Sequence, residues 1–201
     1  SQTDHKIAWY ENNGSQSFTT NNISTSVTGV RQAIPIDLDQ DGDIDILYAA
    51  GSSDAGVGWY ENNGSQSFTG TTIDATGSTS VFPIDLDRDG DIDVIAAHYW
   101  DDKFVWYKNN GSQSFTANTI TTSTDGPNYV YAIDLDRDGD IDILSTSYSD
   151  DGNYSGDEIV WHENNGSQSF TANSLTTTID AARSAFPLDI DHDGDIDVVA
   201  A

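Results

Sequence analysis

D-L-D-R-D-G-D-I-D, residues 85–93, is the stretch that decides how this chain folds. It packs five carboxylates into nine residues around one glycine. The pattern D-x-D-x-D-G-D-x-D returns at 37–45, 134–142 and 189–197. A folded chain holds so much like charge together only where a cation offsets it. The spacing has a mechanical reading. A hard cation takes six to eight oxygens at about 2.3–2.6 Å, and a loop curling around it presents alternate side chains inward. In the first copy these are Asp37, Asp39 and Asp41. Gly42 permits the sharp turn, the backbone carbonyl of Asp43 points in, and Asp45 returns a carboxylate as the next strand starts. The other sets are Asp85, Asp87, Asp89, Asp91 and Asp93; Asp134, Asp136, Asp138, Asp140 and Asp142; and Asp189, Asp191, Asp193, Asp195 and Asp197. Calcium suits such a cage better than magnesium, which keeps its waters. One ion per copy gives four per chain.

An EF-hand starts with similar letters but needs flanking helices and a Glu at position twelve. Position twelve here is Tyr48, Ala96, Ser145 and Ala200, and the flanks read as strands. A second phrase alternates with the first: WYENNGSQSF at 9–18 and 59–68, WYKNNGSQSF at 106–115 and WHENNGSQSF at 161–170. The acidic phrases start at 37, 85, 134 and 189, a period near 50 that marks a stacked or ring architecture. The longest interval holds an insertion at 148–158. Joining the last residue to the first restores a 49-residue interval, and the motif alignment runs through the join. The chain therefore reads as one repeat domain, 1–201, with units near 30–78, 79–126, 127–181, and 182–201 joined with 1–29.

Four strand signals recur per unit. In the second they are A at 80–84, B at 92–97, C at 103–108 and D at 114–120. Strand B is apolar on both faces from Val94 onward, as suits a strand between neighbours. Asn109-Asn110-Gly111 predicts a tight primed hairpin turn between C and D. Four antiparallel strands per repeat, with split termini, predict an all-β fold of propeller blades. The ring has four blades, or eight if two chains exchange terminal strands and close a homodimer.

These repeats resemble the FG-GAP/VCBS family, the calcium-loop blades of integrin α-subunit propellers and of many secreted bacterial proteins. The residues that carry the resemblance are the four acidic phrases and the apolar pairs that follow them, and it covers essentially the whole chain. It implies calcium between strands A and B, with ligands at phrase positions one, three, five, seven (backbone) and nine. All four copies match those positions. Strand A departs from the family's frequent Phe-Gly, with Ile34-Pro35, Phe82-Pro83, Tyr131-Ala132 and Phe186-Pro187.

Composition narrows the partners. The formal charge is −27, from 34 acidic and 7 basic residues, and the four phrases hold twenty of the acids. Four divalent ions would leave about −19, which repels nucleic acid and anionic lipid. No apolar run approaches the ~20 residues of a membrane span. Acid-rich calcium loops suit millimolar extracellular calcium, so the expected location is outside the cell or on its surface. There is no cysteine.

No nucleophile–base order or phosphate loop stands out, and a non-enzyme is expected. Trp9, Trp59, Trp106 and Trp161 recur at one strand position and read as core between blades. Trp100, with Tyr99, stands where the other copies have Thr3, Ser53 and Ser149. With Tyr148 and Tyr154 in the long third loop, it is a candidate for sugar stacking. Arg31 and Arg183 share one slot before strand A and are candidates for an anionic ligand, or for pairing with nearby acids. Three readings follow. One is a calcium-stiffened binding or adhesion module for glycans or a protein surface. The others are a non-catalytic module of a larger polysaccharide-active enzyme, and an architectural or engineered scaffold.

Overall fold

The computed structural model describes residues 5–52, 55–149 and 157–201, and the chain divides into two compact units, 1–78 and 79–201. The first unit holds a two-stranded sheet, β1 (Ile7–Asn12) and β2 (Phe18–Ser24). A four-stranded sheet follows: β3 (Val30–Ile36), β4 (Asp45–Ala50), β5 (Val57–Asn62) and β6 (Phe68–Asp74). The second unit holds two four-stranded sheets. One is β7 (Ser80–Ile84), β8 (Asp93–His98), β9 (Lys103–Asn109) and β10 (Phe115–Thr121). The next is β11 (Pro127–Ile133), β12 (Asp142–Ser147), β13 (Glu158–Asn164) and β14 (Phe170–Thr176). The pair β15 (Ala185–Leu188) and β16 (Asp197–Ala200) ends it. Every pairing is antiparallel between consecutive strands. The chain is all-β and built of propeller-type blades. Among the described residues the helical content is one 3₁₀ turn, Tyr99–Asp101.

The second strand of each full sheet is its most buried. All six residues of β8 are buried, whereas β10 alternates toward solvent. One face of the β7–β10 sheet lays Ile95, Ala97, Phe104 and Trp106 against Val130, Ala132 and Ile143 of the next sheet. That sheet in turn packs Leu144 and Ile159 against Ala182 and Ala185. In the first unit, Ile7 and Val27 meet Tyr48 and Ala50. Burying a side chain such as Phe104, 1% exposed, contributes about 1.5–3 kcal/mol.

The repeats conserve volume while changing letters. At one cross-strand pair the first sheet has Tyr48 opposite Gly58, the second Ala96 opposite Val105, and the third Ser145 opposite Val160. A Cβ on Gly58 would collide with the Tyr48 hydroxyl. The large ring is therefore matched by an absent side chain, as close packing requires.

The tight Asn-Gly hairpin turn is corrected. The ladder of β9 and β10 closes at Asn109 opposite Phe115, which leaves a five-residue connection, 110–114. The cause is asparagine chemistry. The Asn110 Oδ1 accepts the amides of Ser112 (3.0 Å) and Ser114 (3.3 Å), and Asn13, Asn63 and Asn165 do the same in their copies. These side chains replace the cross-strand bonds of a two-residue turn. The glutamine in each loop then takes a left-handed φ, 53° at Gln113.

Candidate functional site

Each acidic phrase folds into a loop whose carboxylates first bind their own backbone. The first Asp accepts the amide of the loop glycine in all four copies, at 3.0–3.1 Å. The fifth-position Asp accepts the amide two residues on, at 2.8–3.1 Å. The residue at position four is exposed, as its variability predicts. It adopts φ near +60° in every copy (Gln40, Arg88, Arg137, His192), and the loop glycine φ lies near +100°. Glycine tolerates that last conformation without strain.

The ninth-position Asp does more than return a ligand. The carboxylates of Asp45, Asp93 and Asp142 are fully buried or nearly so, and each is held at both oxygens. One oxygen accepts the amide of Leu38, Leu86 or Leu135. The other accepts that of Asn62, Asn109 or Asn164 at 2.7–2.8 Å. Those asparagines also donate to the carbonyl of Ile44, Ile92 or Ile141 inside the loop, at 3.0–3.1 Å. The acidic loop and the NNGSQSF hairpin thus form one hydrogen-bonded block, and the verbatim repetition of both phrases has a structural cause. Gly64, Gly111 and Gly166 complete it, because the seventh-position carboxylates of Asp43, Asp91 and Asp140 lie where a Cβ would stand. Burial pushes the Asp93 carboxyl up to about 6, although the amides it accepts oppose the shift; burial raises Asp45 and Asp142 as well.

A cation fits these loops. In all four, Oδ1 of the first Asp (Asp37, Asp85, Asp134, Asp189) is buried without a hydrogen-bond partner. A buried, unpartnered carboxylate oxygen is costly unless a cation meets it. In each loop, three carboxylates offer oxygens within 4.8 Å of one another: Asp37, Asp39 and Asp41; Asp85, Asp87 and Asp93; Asp134, Asp136 and Asp142; Asp189, Asp191 and Asp197. Two oxygens on one ion at about 2.3–2.6 Å can stand no farther apart than about 5 Å. Each repeat therefore has acidic groups that can hold a metal ion. The oxygen-only donor set suits a hard cation.

At the other end of the strands the residues vary more: Tyr99 and Tyr148 share one slot of successive repeats, and Trp100 stands where the next copy has Ser149. Trp100, 52% exposed, meets Tyr99 edge-on with centroids 5.4 Å apart. Tyr99 packs on Tyr148 at 5.4 Å, and the Arg183 guanidinium carbon lies 4.3 Å from the Tyr148 ring centre. Arg183 also donates to the Tyr148 hydroxyl at 3.1 Å, and its carbonyl accepts the Asn128 amide at 3.1 Å. Four of the sequence-derived ligand candidates therefore form one row, drawn from the connections of three successive sheets. The structure gives Arg183 an aromatic partner, Tyr148, which neither expectation for it named. Arg31 is exposed on β3 in the other unit, and Tyr154 lies outside the described residues. The row is held from below. Asp102, at φ +49°, accepts the amide of Gly126 at 3.0 Å, and Gly126 leaves room for the Tyr99 ring. A second aromatic line, Phe82–Tyr131–Phe186, runs along the first strands of the three sheets of this unit. Its signal was the aromatic residues in the strand-A pairs, visible only once the repeats are aligned.

The two ends are separated by the length of β8. Six residues at about 3.3 Å each place the row roughly 20 Å from the acidic loop of its own sheet. A cation in that loop cannot touch a ligand on the row.

The FG-GAP-like repeat model matches residues 1–48, 37–96, 85–145 and 138–200. The chain belongs to the FG-GAP-like repeat family. None of the curated protein sequences matches it. Among solved structures it is similar to an Agrocybe aegerita lectin described as specifically recognising non-reducing terminal N-acetylglucosamine. The TM-score is 0.62 and the identity 21%, over 98% of this chain and 55% of that one. The FG-GAP-like chain thus spans about half the length of the lectin chain, and the likeness is one of fold.

Proposed function

We propose that this FG-GAP-like chain is a calcium-stabilised, non-enzymatic glycan-binding module that works outside the cell, with Trp100, Tyr99, Tyr148 and Arg183 as its contact row. The observation that carries the reading is the division of labour between the two ends. The acidic loop and the NNGSQSF hairpin are used in blade architecture, whereas the aromatics of the other end come together on one face around Trp100, which occurs once and is half exposed. A flat, amphipathic ring beside a guanidinium offers both an apolar platform and donors to a sugar. The lectin fold likeness supports the same reading. Calcium in the acidic loops is supported by the family and by the unpartnered first-position oxygens. It acts as a clip, with Asp37, Asp85, Asp134 and Asp189 foremost among its ligands. The extracellular location follows from the millimolar calcium that such loops suit.

Acid–base chemistry has little support. Ser145 lies 2.9 Å from His162, but burial pushes that imidazole down to about 4, far from the neutral pKa that suits a general base. The −27 charge opposes nucleic acid as a partner. No helix among the described residues is long and apolar enough to cross a membrane.

A homodimer belongs to the same proposal. The two-stranded sheets β1–β2 and β15–β16 each hold half the strands of a blade, and exchange between two copies would complete them. Light scattering at 21.7 kDa would exclude the dimer. A glycan array probed with the calcium-loaded protein tests the function: terminal-sugar binding that Trp100→Ala weakens about tenfold or more is expected, and no binding to any glycan would overturn the reading.

A further inference from the structure

The second acidic loop is unlike the other three. In loops one, three and four the third-position Asp accepts the amide of the fifth: Asp41 to Asp39 at 3.3 Å, Asp138 to Asp136 at 3.1 Å and Asp193 to Asp191 at 3.2 Å. In loop two, Asp87 turns Oδ2 to the Lys108 ammonium, which also lies 3.1 Å from Asp89 Oδ2. The Asp87 side chain is only 9% exposed, and its Oδ1 is left buried without a partner. Lys108 sits on β9 at the slot that Glu11, Glu61 and Glu163 fill in the other copies. Glu163 accepts the Asn173 side-chain amide at 3.1 Å across the hairpin. Asn173 also donates to the Thr171 carbonyl at 3.4 Å, and the matching Asn118 keeps that bond alone, to Thr116 at 3.0 Å. The Trp106 ring, its centre 5.9 Å from the ammonium, flanks the lysine on the strand side.

We propose that Lys108 is a tethered cation built into the second loop. It competes with the divalent ion for Asp87 and Asp89 and divides the chain's four metal loops into two affinity classes. The reading rests on divalent binding by the loops. An ion entering loop two must displace the ammonium, at the cost of its two ion pairs, or sit beside it where the net negative charge is lower. Ligand charge is the lever that sets calcium affinity in acidic loops. The lysine side chain is 39% exposed, so its head can leave toward solvent while its stem stays on the strand. When metal is withdrawn, loop two keeps an ammonium paired with two of its carboxylates. The β7–β10 sheet thereby has a partly neutralised loop at every calcium concentration.

The test is a count of bound ions. The full chain, stripped with chelator, is titrated with calcium in a calorimeter. Bound calcium is also counted by mass spectrometry after gel filtration at a low fixed calcium concentration. The wild type is expected to take three ions in a tight class and a fourth about tenfold or more weaker. Lys108→Glu, the residue of the other copies, should bring the tight class to four. Lys108→Gln removes the charge without adding one and should move the count the same way, which covers any folding defect in the first variant. Four equivalent ions in the wild type, or variants that leave the count unchanged, would overturn the role of Lys108 while leaving calcium binding intact. No bound ion at any concentration would overturn both readings.

Discussion

The two ends of β8 differ in kind. At its start, Asp93 is locked by amides from two segments of the same repeat, and the block it anchors recurs almost letter for letter. At its finish, Trp100 occurs once, and Tyr99 packs on Tyr148, the residue at its own slot in the next sheet. One end solves a problem that every blade shares: how to connect two strands through a cluster of charge. The other end is relieved of that problem and is free to vary. Stability should therefore reside at the loop end, and recognition at the row.

The sharpest way to break this contrast is to remove the metal. Each ion at a free concentration 100-fold above its Kd contributes about 2.7 kcal/mol, so emptying several loops should lower the Tm more than any single substitution. Differential scanning calorimetry with excess chelator tests it; a melt that does not move would end the claim that the loop end holds the stability.

Next in size is Asp142→Ala. It strands the amides of Leu135 and Asn164 and removes a carboxylate from the third loop, and one buried unsatisfied donor alone costs about 1–3 kcal/mol. Urea unfolding should show a loss of about 3 kcal/mol or more. A loss below 1 kcal/mol would mean that the asparagine–aspartate block does not hold the loop. Sugar affinity, measured on the folded fraction, should not change.

A comparable effect is expected from pH, with a sign that depends on the metal. Without metal, the folded Asp93 carboxyl keeps its proton to about 6, whereas the unfolded one releases it near 3.8. The folded state then binds more protons across that window, so stability should fall as pH rises from about 4 to about 6, by up to about 3 kcal/mol. Asp45 and Asp142 are shifted the same way and add to the slope. With calcium, the ionised form is the ligand, and stability should rise over the same range as the ion displaces the protons. Urea melts at pH 4, 5 and 6 with and without chelator decide it; equal slopes would mean that these carboxylates do not meet the ion.

Much of this was legible in the sequence, and unevenly. The strand at 80–84 appears with those bounds, and the second strand starts one residue later than its apolar run implies. Its length was readable because burial on both faces leaves a run without polar interruption. The hairpin is longer than its sequence implies because Asn-Gly favours a two-residue turn locally, while the side chain of Asn110 stabilises a five-residue connection. The double role of Asp93 was not legible, because its partner Asn109 lies sixteen residues on and nothing local reports the contact. Lys108 carried a signal, a lone base in a slot of glutamates, but the side it faces is decided only by strand register. The row was found by a different route: among near-identical repeats, a residue that breaks the pattern on a loop is released from blade architecture. That logic points to Trp100; Tyr99 and Tyr148 share one slot and Arg183 shares another with Arg31, and nothing in the sequence places the four in contact, since contact depends on how successive sheets stack.

The smallest expected change in stability belongs to the row, and it is the most informative. Trp100 is 52% exposed and touches Tyr99 by an edge, so Trp100→Ala removes little buried surface. Its effect on unfolding should stay within about 0.5 kcal/mol, as for other surface substitutions. Its effect on sugar binding should reach tenfold or more, about 1.4 kcal/mol, because a stacking platform acts only when the ligand is present. Tyr148→Phe sharpens the point. It keeps the ring under the Arg183 guanidinium and deletes the hydroxyl that the guanidinium donates to at 3.1 Å. If Arg183 is held chiefly by stacking, affinity survives; if the hydrogen bond aims it, affinity falls while the melt stays put. Calorimetric titration of both variants, beside their melts, separates platform from scaffold. An alanine at 100 that destabilised the fold and spared the sugar would reverse the assignment of the two ends.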